Sequence, residues 1–233
     1  LWSEKVASQC CMRYRHIVRK VKIDASQVSV DDEHFDACII ATPPYATARL
    51  LEVAAHAEQL DTLRDELHAF TYRPIATLTL QLAQDWRLPF PLLMLDENFL
   101  SGHYGQWVFE RAQHNQLTVV ISDSQDFLKY DREIFVNQIA EQVRQQVGLH
   151  SRSRTDMPEV ISHRLIIEKR ATFSAIPGLR RPANQTAWPR LTLAGDWTDT
   201  SYPAVLEGAV LSGKQAAGLL LENIRSNFNP SRA

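Results

Sequence analysis

Apolar and polar residues alternate with a period of two in the middle of the chain and recur with a helical period further on. Residues 75–82 and 117–122 show the alternation of strands with one covered face, and residues 107–109 form a short aromatic strand. Residues 131–147 have helical spacing and end at Gly148. Residues 159–167 then lead back toward the first half of the fold. The pattern predicts a mixed sheet with a covering helix.

The first sixty residues contain a second group of predicted elements. Residues 17–23 interleave Ile and Val with basic side chains, which favours a strand with one solvated face over a basic surface for RNA or lipid. Residues 27–30 are its predicted hairpin partner. Residues 37–41 are continuously apolar, as in a strand that is buried on both faces. Pro43 and Pro44 end this strand, and residues 45–60 predict a helix.

Residues 191–222 combine a strand, an acidic turn and a helix. Residues 191–194 are apolar and lead into Gly195-Asp196-Trp197. Pro203 suits the first turn of the next helix, because its missing N–H would be unpaired there. Such a crossover in an α/β sheet is a common ligand-binding position, and a helix N-terminus can hold an anion or an electron-rich carbonyl.

Small residues recur along this helix at helical spacing, namely Gly208, Ala209, Ser212, Gly213, Ala216 and Ala217. Each interior glycine costs about 1 kcal/mol relative to alanine, so the close approach of another group must offset that cost. The group is either a neighbouring strand in a tightly packed unit or a flat cofactor placed against Gly195, Asp196 and the first helical turn. Spacing alone leaves both interpretations open.

Composition excludes several classes of protein. The 233 residues include 27 acidic and 25 basic side chains, so the cationic surface of a nucleic-acid-binding protein is missing. Three cysteines without a C-x-x-C pair argue against a disulfide framework or a zinc site and for a reducing compartment. No apolar run reaches about 18 residues, and no signal peptide is recognisable. We expect a cytoplasmic protein that can touch a membrane surface.

Residues typical of catalytic centres are scarce. The eight histidines show no metal-ligand spacing, so no metal site is predicted. The chain lacks a nucleophile elbow and a G-x-x-x-x-G-K-[ST] loop, which argues against a hydrolase or an NTPase. No catalytic residue can be named. This scarcity fits an enzyme in which a bound cofactor carries the chemistry.

The C-terminal stretch resembles the FAD signature of the flavin amine oxidase and phytoene desaturase superfamily. The matching residues are Ala194-Gly195-Asp196-Trp197-Thr198, Pro203, Glu207-Gly208-Ala209-Val210, Ser212-Gly213 and Ala216-Ala217. Within the superfamily the chain is most similar to the squalene-associated FAD-dependent desaturases, the hydroxysqualene dehydroxylases of hopanoid synthesis. Residues 35–37, 41–44, 105–111, 168–173, 177–178 and 181–182 extend the likeness over nearly the whole chain.

The resemblance implies an α/β fold, with the C-terminal part of an FAD-binding, Rossmann-like domain and an inserted α+β substrate domain. The FAD-binding part would comprise residues 1–47 and 166–233, and the substrate domain residues 48–165. The implied cofactor is FAD, and its implied binding residues are Gly195, Asp196, Trp197, Pro203, Val205, Leu206 and Gly208.

Each of these residues has an implied role. Asp196 would accept a hydrogen bond from a hydroxyl near the ribityl and pyrophosphate groups. Trp197 and Pro203 would wall the flavin ring. The helix N-terminus at Val205, Leu206 and Gly208 would approach the pyrimidine edge of the flavin, where backbone amides stabilise negative charge.

The implied reaction is the reductive removal of an allylic hydroxyl from hydroxysqualene, an apolar isoprenoid. A phytoene desaturase-like or amine oxidase-like flavoenzyme and a catalytically silent fragment or assembly module remain as alternatives. Several large side chains of the middle segment either line an isoprenoid tunnel or form an ordinary core: Trp86, Phe90, Met94, Phe99, Tyr104, Trp107 and Phe109.

One feature of the superfamily is missing from the chain. The G-x-G-x-x-G loop lies near the N-terminus in the superfamily, and none of the 8 glycines here is so arranged. The resemblance therefore implies either a fragment that lacks the first half of the fold or a partner chain that supplies it.

Overall fold

The computed structural model describes residues 9–23, 27–51, 61–124, 131–150 and 156–227. The strands are β1 (Val21–Ile23), β2 (Val28–Val30), β3 (Glu33–Phe35), β4 (Cys38–Ile40), β5 (Tyr72–Leu82), β6 (Leu92–Met94), β7 (Trp107–Glu110), β8 (Gln116–Ser122), β9 (Val160–Phe173) and β10 (Leu191–Leu193). The helices are α1 (Pro44–Leu51), α2 (Asp61–His68), α3 (Arg132–His150) and α4 (Leu206–Asn227).

The chain divides into two compact units. One comprises Leu1–Phe70 and Ala175–Ala233, and the other, Thr71–Ser174, is inserted between them in sequence. These boundaries differ from the predicted ones at 47/48 and 165/166, because α1 and α2 belong to the first unit and β9 continues to Phe173 beside β5. The ends of the inserted unit meet, since Ser174 N–H donates to Thr71 O at 2.9 Å. The assignment of FAD and substrate to the two units stays a prediction.

An antiparallel sheet of five strands forms the centre of the inserted unit, in the order β6-β7-β8-β5-β9. The predicted alternation in residues 75–82 and 117–122 is confirmed, because every second side chain of β5 and β8 is buried. The fully buried side chains on one face are Ala76, Leu78, Leu80, Leu82, Leu117, Val119 and Ile121. A strand with this period presents one apolar face to a covering element.

The covering element is α3. Its N-terminus is capped by the Asp131 carboxylate, which accepts hydrogen bonds from Glu133 N–H at 2.9 Å and Ile134 N–H at 3.1 Å. The helix predicted for residues 131–147 is therefore confirmed, although it runs past Gly148 to His150. Its buried side chains join the strand residues in one hydrophobic cluster: Phe135, Val136, Ile139, Ala140, Val143 and Val147.

The large side chains proposed for an isoprenoid tunnel fall into two groups. Trp86 and Tyr104 are 8% and 6% exposed and belong to the core, as the alternative interpretation predicted. Phe109 is half-buried. The others are exposed: Phe90, Met94, Phe99 and Trp107. The seven residues do not share one environment, so a single tunnel lined by all of them is not supported.

The first unit begins with the small antiparallel sheet β1-β2-β3. The predicted hairpin is confirmed by the pairing of β1 with β2, but the first strand is limited to Val21–Ile23. Arg19 and Lys20, which precede this strand, do not continue it. Their backbone amides donate hydrogen bonds to the Asp31 carboxylate, each at 2.9 Å. A loop segment thus replaces part of the predicted strand.

The strands β4 and β10 form a two-stranded parallel sheet in the same unit. All of β10 is buried, whereas Ile39 of β4 is 38% exposed. The prediction that residues 37–41 are buried on both faces is therefore wrong, because within the described residues only β10 pairs with this strand. Burial raises the pKa of the Cys38 thiol to about 11.

Two helices follow these strands. The helix α1 begins at Pro44, and Pro43 O accepts the amides of Ala46 and Thr47 at 2.9 Å. The predicted helix is confirmed as far as Leu51, and the rest of it, residues 52–60, lies outside the described residues. Among the helices that the structure describes, none has the length and apolar character needed to traverse a lipid bilayer.

We predict that Gln142→Leu lowers the free energy of unfolding by about 2–4 kcal/mol. Gln142 is fully buried in α3, accepts a hydrogen bond from Gly105 N–H at 2.7 Å and donates to Gly105 O at 2.9 Å and Asp96 O at 3.0 Å. Leucine leaves the buried groups of Gly105 without partners. Gln145→Leu, on the exposed side of the same helix, should change stability by less than about 0.5 kcal/mol in the same urea titration. Equal effects would refute the explanation.

Candidate functional site

A tight turn follows β10 at Gly195. The residue has φ +152°, and a Cβ atom added there would lie 2.2 Å from Trp197 Nε1. Glycine is therefore required twice, by the backbone conformation and by the indole ring against it. The turn connects the end of a buried parallel strand to the loop before α4.

Trp197 occupies the interior of this unit. Its ring is 2% exposed, meets Phe70 edge-on at a centroid distance of 6.3 Å, and donates a hydrogen bond from Nε1 to Thr42 O at 3.1 Å. A ring that walls a flavin must be exposed to it, so the structure gives Trp197 another role. It ties the turn after β10 to the turn after β4.

A buried hydroxyl network supports the turn from below. Ser212 Oγ accepts hydrogen bonds from Gly195 N–H at 2.9 Å and from Asn184 Nδ2 at 2.8 Å, and lies 2.7 Å from Thr198 Oγ1. Thr198 Oγ1 also donates to Gly195 O at 3.0 Å. Because Ser212 and Thr198 are fully buried, these bonds are shielded from water and hold the turn against α4.

Arg181 holds the other side of the loop. Its guanidinium donates to the carbonyl oxygens of Asp196, Trp197 and Tyr202, and to Thr200 Oγ1 at 3.3 Å. A planar guanidinium has five donors in a fixed fork, which suits several acceptors at once better than a lysine would. One side chain therefore fixes the course of residues 196–202.

The helix α4 starts three residues later than predicted. Val205 N–H donates to Pro203 O at 2.8 Å, and the first helical bond runs from Ala209 N–H to Val205 O at 3.2 Å. A short turn thus precedes the helix, and Pro203 lies in this turn instead of the first helical turn. The amides of Leu206, Glu207 and Gly208 come before the helical ladder, where a helix offers N–H groups to a ligand.

The side chains around this helix end differ in exposure. Leu206 is 87% exposed and Val205 41%, so large apolar groups lie open beside the helix N-terminus. Gly208 is buried, and a Cβ atom there would lie 3.2 Å from Tyr202 Cβ and 3.3 Å from Pro203 O. Its lack of a side chain lets the loop pack on the helix, and it does not open a cradle for a ring.

Asp196 is half-buried beside the turn. Burial raises the pKa of its carboxyl above the ordinary value, while the backbone amides of Asp196 and Trp197 and the charge of Arg181 oppose the shift. A carboxylate in this position accepts hydrogen bonds strongly, because its own solvation is incomplete. This property suits the predicted role of binding a hydroxyl group.

The structure thus brings together Gly195, Asp196 and the start of α4, with Val205 and Leu206 exposed there. It buries Trp197 and Gly208 in the support of the loop. The sequence did not predict the supporting roles of three residues. Asn184 and Ser212 hydrogen-bond beneath the turn, and Arg181 donates to the loop carbonyls. The sequence marks Ser212 as a small residue and as part of the FAD signature without giving it a role, and the recurrence of Gly208, Ser212 and Ala216 at four-residue spacing is the signal of a buried face.

No group of three or more histidine, cysteine, aspartate or glutamate side chains within the described ranges is arranged to hold a metal ion. The polar groups around the candidate site include backbone amides, hydroxyls, the Arg181 guanidinium and the carboxylates of Asp196 and Glu207. Such groups suit the hydroxyls, carbonyls and phosphates of an organic cofactor.

The fold is that of flavin-dependent oxidoreductases. The structure superposes on cyclohexylamine oxidase from Brevibacterium oxydans IH-35A with a TM-score of 0.58 over 90% of this chain and 48% of that one, at 13% sequence identity. Residues 4–221 match the family described as flavin containing amine oxidoreductase. The chain belongs to this family, and the predicted α/β fold is confirmed.

Two curated relatives are more similar in sequence. Hydroxysqualene dehydroxylase of Rhodopseudomonas palustris is 32% identical over 191 residues, which is 80% of this chain and 38% of the relative. That of Zymomonas mobilis is 36% identical over 124 residues, 52% of this chain and 28% of the relative. The predicted likeness is confirmed, and the chain spans about two fifths of the length of the first relative.

We predict that Gly195→Ala destabilises the protein by about 3–5 kcal/mol, because the new methyl group meets Trp197 in a backbone conformation that alanine avoids. Gly178→Ala is the control, since Gly178 also has a positive φ, +77°, but no atom within 4 Å of an added Cβ. It should cost about 1 kcal/mol. Urea unfolding followed by tryptophan fluorescence checks both. A loss of similar size for the two variants would contradict the proposed overlap with Trp197.

We predict that Asp196→Asn becomes more stable relative to the unmodified chain as pH rises from about 4 to 7. A raised folded-state pKa means that folding favours the protonated carboxyl, so the penalty is absent below the unfolded pKa of about 3.9 and complete above the folded pKa. The change should stay below about 1 kcal/mol, because the carboxyl is only half-buried. Chemical unfolding at several pH values measures it. The opposite trend would show that the amides and Arg181 outweigh burial.

Proposed function

We propose that this chain is the flavin- and substrate-contacting portion of an FAD-dependent oxidoreductase that acts on a polyisoprenoid, and that the reaction is the reductive dehydroxylation of hydroxysqualene to squalene. The proposed substrate is based on the similarity to two hydroxysqualene dehydroxylases, which are 32% and 36% identical to this chain over the matched residues. The observation that supports FAD as the cofactor is the turn at Gly195, which is hydrogen-bonded to Ser212 and lies beside the exposed start of α4. The chain also belongs to a flavin-containing family.

The residues present fit a flavin in two respects. The amides at the start of α4 can donate to an electron-rich carbonyl edge, and the helix dipole favours negative charge there. The exposed side chains of Val205 and Leu206 offer apolar contact beside those amides. Bound FAD in its reduced form would supply the hydride that replaces the allylic hydroxyl.

The chain's own residues bind and orient. Asp196 would accept a hydrogen bond from a ribityl hydroxyl, and Gly195 allows the tight turn that places Asp196 beside the start of α4. Ser212 and Arg181 keep the turn in one conformation, which lowers the entropy lost when a ligand binds. The substrate is apolar, so its binding depends on buried area instead of polar anchors. No side chain is assigned as the acid for the departing hydroxyl.

The second candidate function is a catalytically silent assembly module, in which this portion retains no flavin. A phytoene desaturase-like or amine oxidase-like reaction is the alternative within the flavoenzyme class. These candidates differ in cofactor occupancy and in substrate.

The test is a chimera in which this chain replaces the matching stretch of the R. palustris relative. We expect a yellow protein that converts hydroxysqualene to squalene under reducing conditions, measured by gas chromatography, and leaves phytoene and amines unchanged. A flavin-loaded chimera without squalene formation would refute the substrate assignment. A folded chimera that retains no flavin would favour the silent module.

The chimera also tests the role of Asp196. Asp196→Ala should weaken FAD binding at least tenfold, because a charged acceptor to a hydroxyl contributes about 1.5–3 kcal/mol. Asp199→Ala is the matched control, since Asp199 is exposed in the same loop. It should change the Kd for FAD less than twofold. Equal losses of FAD affinity in the two variants would show that Asp196 does not bind FAD.

A further inference from the structure

The five-stranded sheet of the inserted unit has a second face, opposite to α3. Leu78 of β5 and Val119 of β8 belong to the cluster packed on α3, so their sequence neighbours Thr77 and Val120 point to the other face. Side chains of register partners lie on the same face of a sheet. One row of partners therefore crosses all five strands on the second face: Met94, Trp107, Val120, Thr77 and Ile166.

Large apolar side chains stand exposed on this face. Met94 is 68% exposed, Ile166 50% and Trp107 38%, and Leu92, which pairs with Phe109 in the next row, is 47% exposed. We call these five residues the apolar band. A single exposed apolar residue is ordinary, but a contiguous group on one face is typical of an interaction surface.

Two arginines lie at one end of the band. Arg164 is the register partner of Thr79 and ends the row that begins at Leu92, and Arg111 follows β7 directly. Both arginines line a cavity of about 310 Å³, whose other polar walls include Thr79, Gln81, Gln116 and Ser162.

The donors of this cavity that remain available are cationic. Gln116 Nε2 donates to Gln81 Oε1 at 2.7 Å, and Gln81 Nε2 donates to Asn115 O at 3.2 Å, so both amides are used within the sheet. Arg111 and Arg164 are exposed, and neither forms an ion pair with another residue that the structure describes. The cavity therefore offers two guanidinium groups to an anion.

The order of charge and apolar surface identifies the chemistry of the partner. A guanidinium binds a phosphate through two parallel hydrogen bonds, and the apolar band gains free energy when hydrocarbon covers it. The acidic Glu168 lies two residues beyond Ile166 on β9, away from Arg164, so the surface attracts anions at one end only. Phosphate groups beside hydrocarbon, on one extended surface, are the arrangement of a phospholipid leaflet.

We propose that this face of the inserted unit docks on a membrane that contains anionic phospholipids. Arg111 and Arg164 bind the headgroup phosphates, and Met94, Trp107 and Ile166 enter the region between the headgroups and the acyl chains. An indole ring suits this depth, because it joins an apolar body to one polar N–H group. The contact is peripheral, and α3 on the opposite side of the sheet stays in water.

The first test compares two isoleucines on opposite sides of the same unit. Ile166 and Ile134 are 50% and 58% exposed, and Ile134 lies on α3. This chain is titrated with vesicles of equal parts phosphatidylcholine and phosphatidylglycerol, and binding is measured by co-sedimentation. Ile166→Thr should weaken binding at least about fivefold and Ile134→Thr less than about twofold, because only Ile166 is buried by lipid. Urea unfolding of both variants checks that they remain folded.

The second test separates charge from apolar contact. Arg111→Gln and Arg164→Gln should each weaken binding to the anionic vesicles about fivefold, because each removes one basic side chain from the charged surface. Arg144→Gln is the matched control, since Arg144 is exposed on α3 and the substitution changes the net charge equally. It should have less than about half of that effect. Vesicles of phosphatidylcholine alone should bind more weakly and should not distinguish the three variants.

Three results would overturn the proposal. They are the absence of binding to either kind of vesicle, equal losses for Ile166→Thr and Ile134→Thr, and a larger loss for Ile134→Thr, which would identify the α3 side as the lipid-binding surface. Binding that does not depend on phosphatidylglycerol would overturn the assignment of the arginines. The titrations need neither FAD nor hydroxysqualene, so their outcome is independent of the proposed reaction.

Discussion

The arrangement of the candidate site depends on the hydrogen bonds of the Ser212 hydroxyl. It joins the amide of Gly195, the side chain of Asn184 and the hydroxyl of Thr198, and it does so without contact with solvent. A buried network of this kind is costly when any member lacks a partner, so it admits few alternative conformations. The segment at Asn184 and the loop at Gly195 and Thr198 are fixed relative to α4, because each has a group within hydrogen-bonding distance of the same Ser212 oxygen.

The sequence predicted the elements whose period was clear. The alternation of residues 75–82 became β5, because one face of that strand packs against α3. It predicted less well where a side chain overrides local preference. Asp31 holds Arg19 and Lys20 out of the predicted strand, and a short turn at Pro203 delays the start of α4 until Leu206. Neither effect has a period or a motif, so neither could be read from the spacing of residues.

The sequence predicted the residues of the central turn, but not the residues that hold this turn by hydrogen bonds. Gly195 and Asp196 belong to a local motif, whereas Arg181 and Asn184 lie outside it and bond groups 15 and 28 residues further along the chain. The sequence analysis left open whether the small residues of α4 serve tight packing within the unit or contact with another group, and the two sides of the helix differ in this respect. Gly208, Ser212 and Ala216 serve tight packing against the loop and β10, while Gly213 lies on an open side that packing within this chain does not explain.

The joined ends of the inserted unit bear on the order of folding. Pairing β4 with β10 closes a loop of roughly 150 residues, but the bond between Ser174 and Thr71 makes the inserted unit a closed circuit of its own. Once that unit has folded, only about 50 residues remain to be ordered between the two parallel strands, which lowers the closure cost by about 1 kcal/mol. The antiparallel unit should therefore fold first, because its closed ends shorten the chain that must be ordered before β4 and β10 can pair.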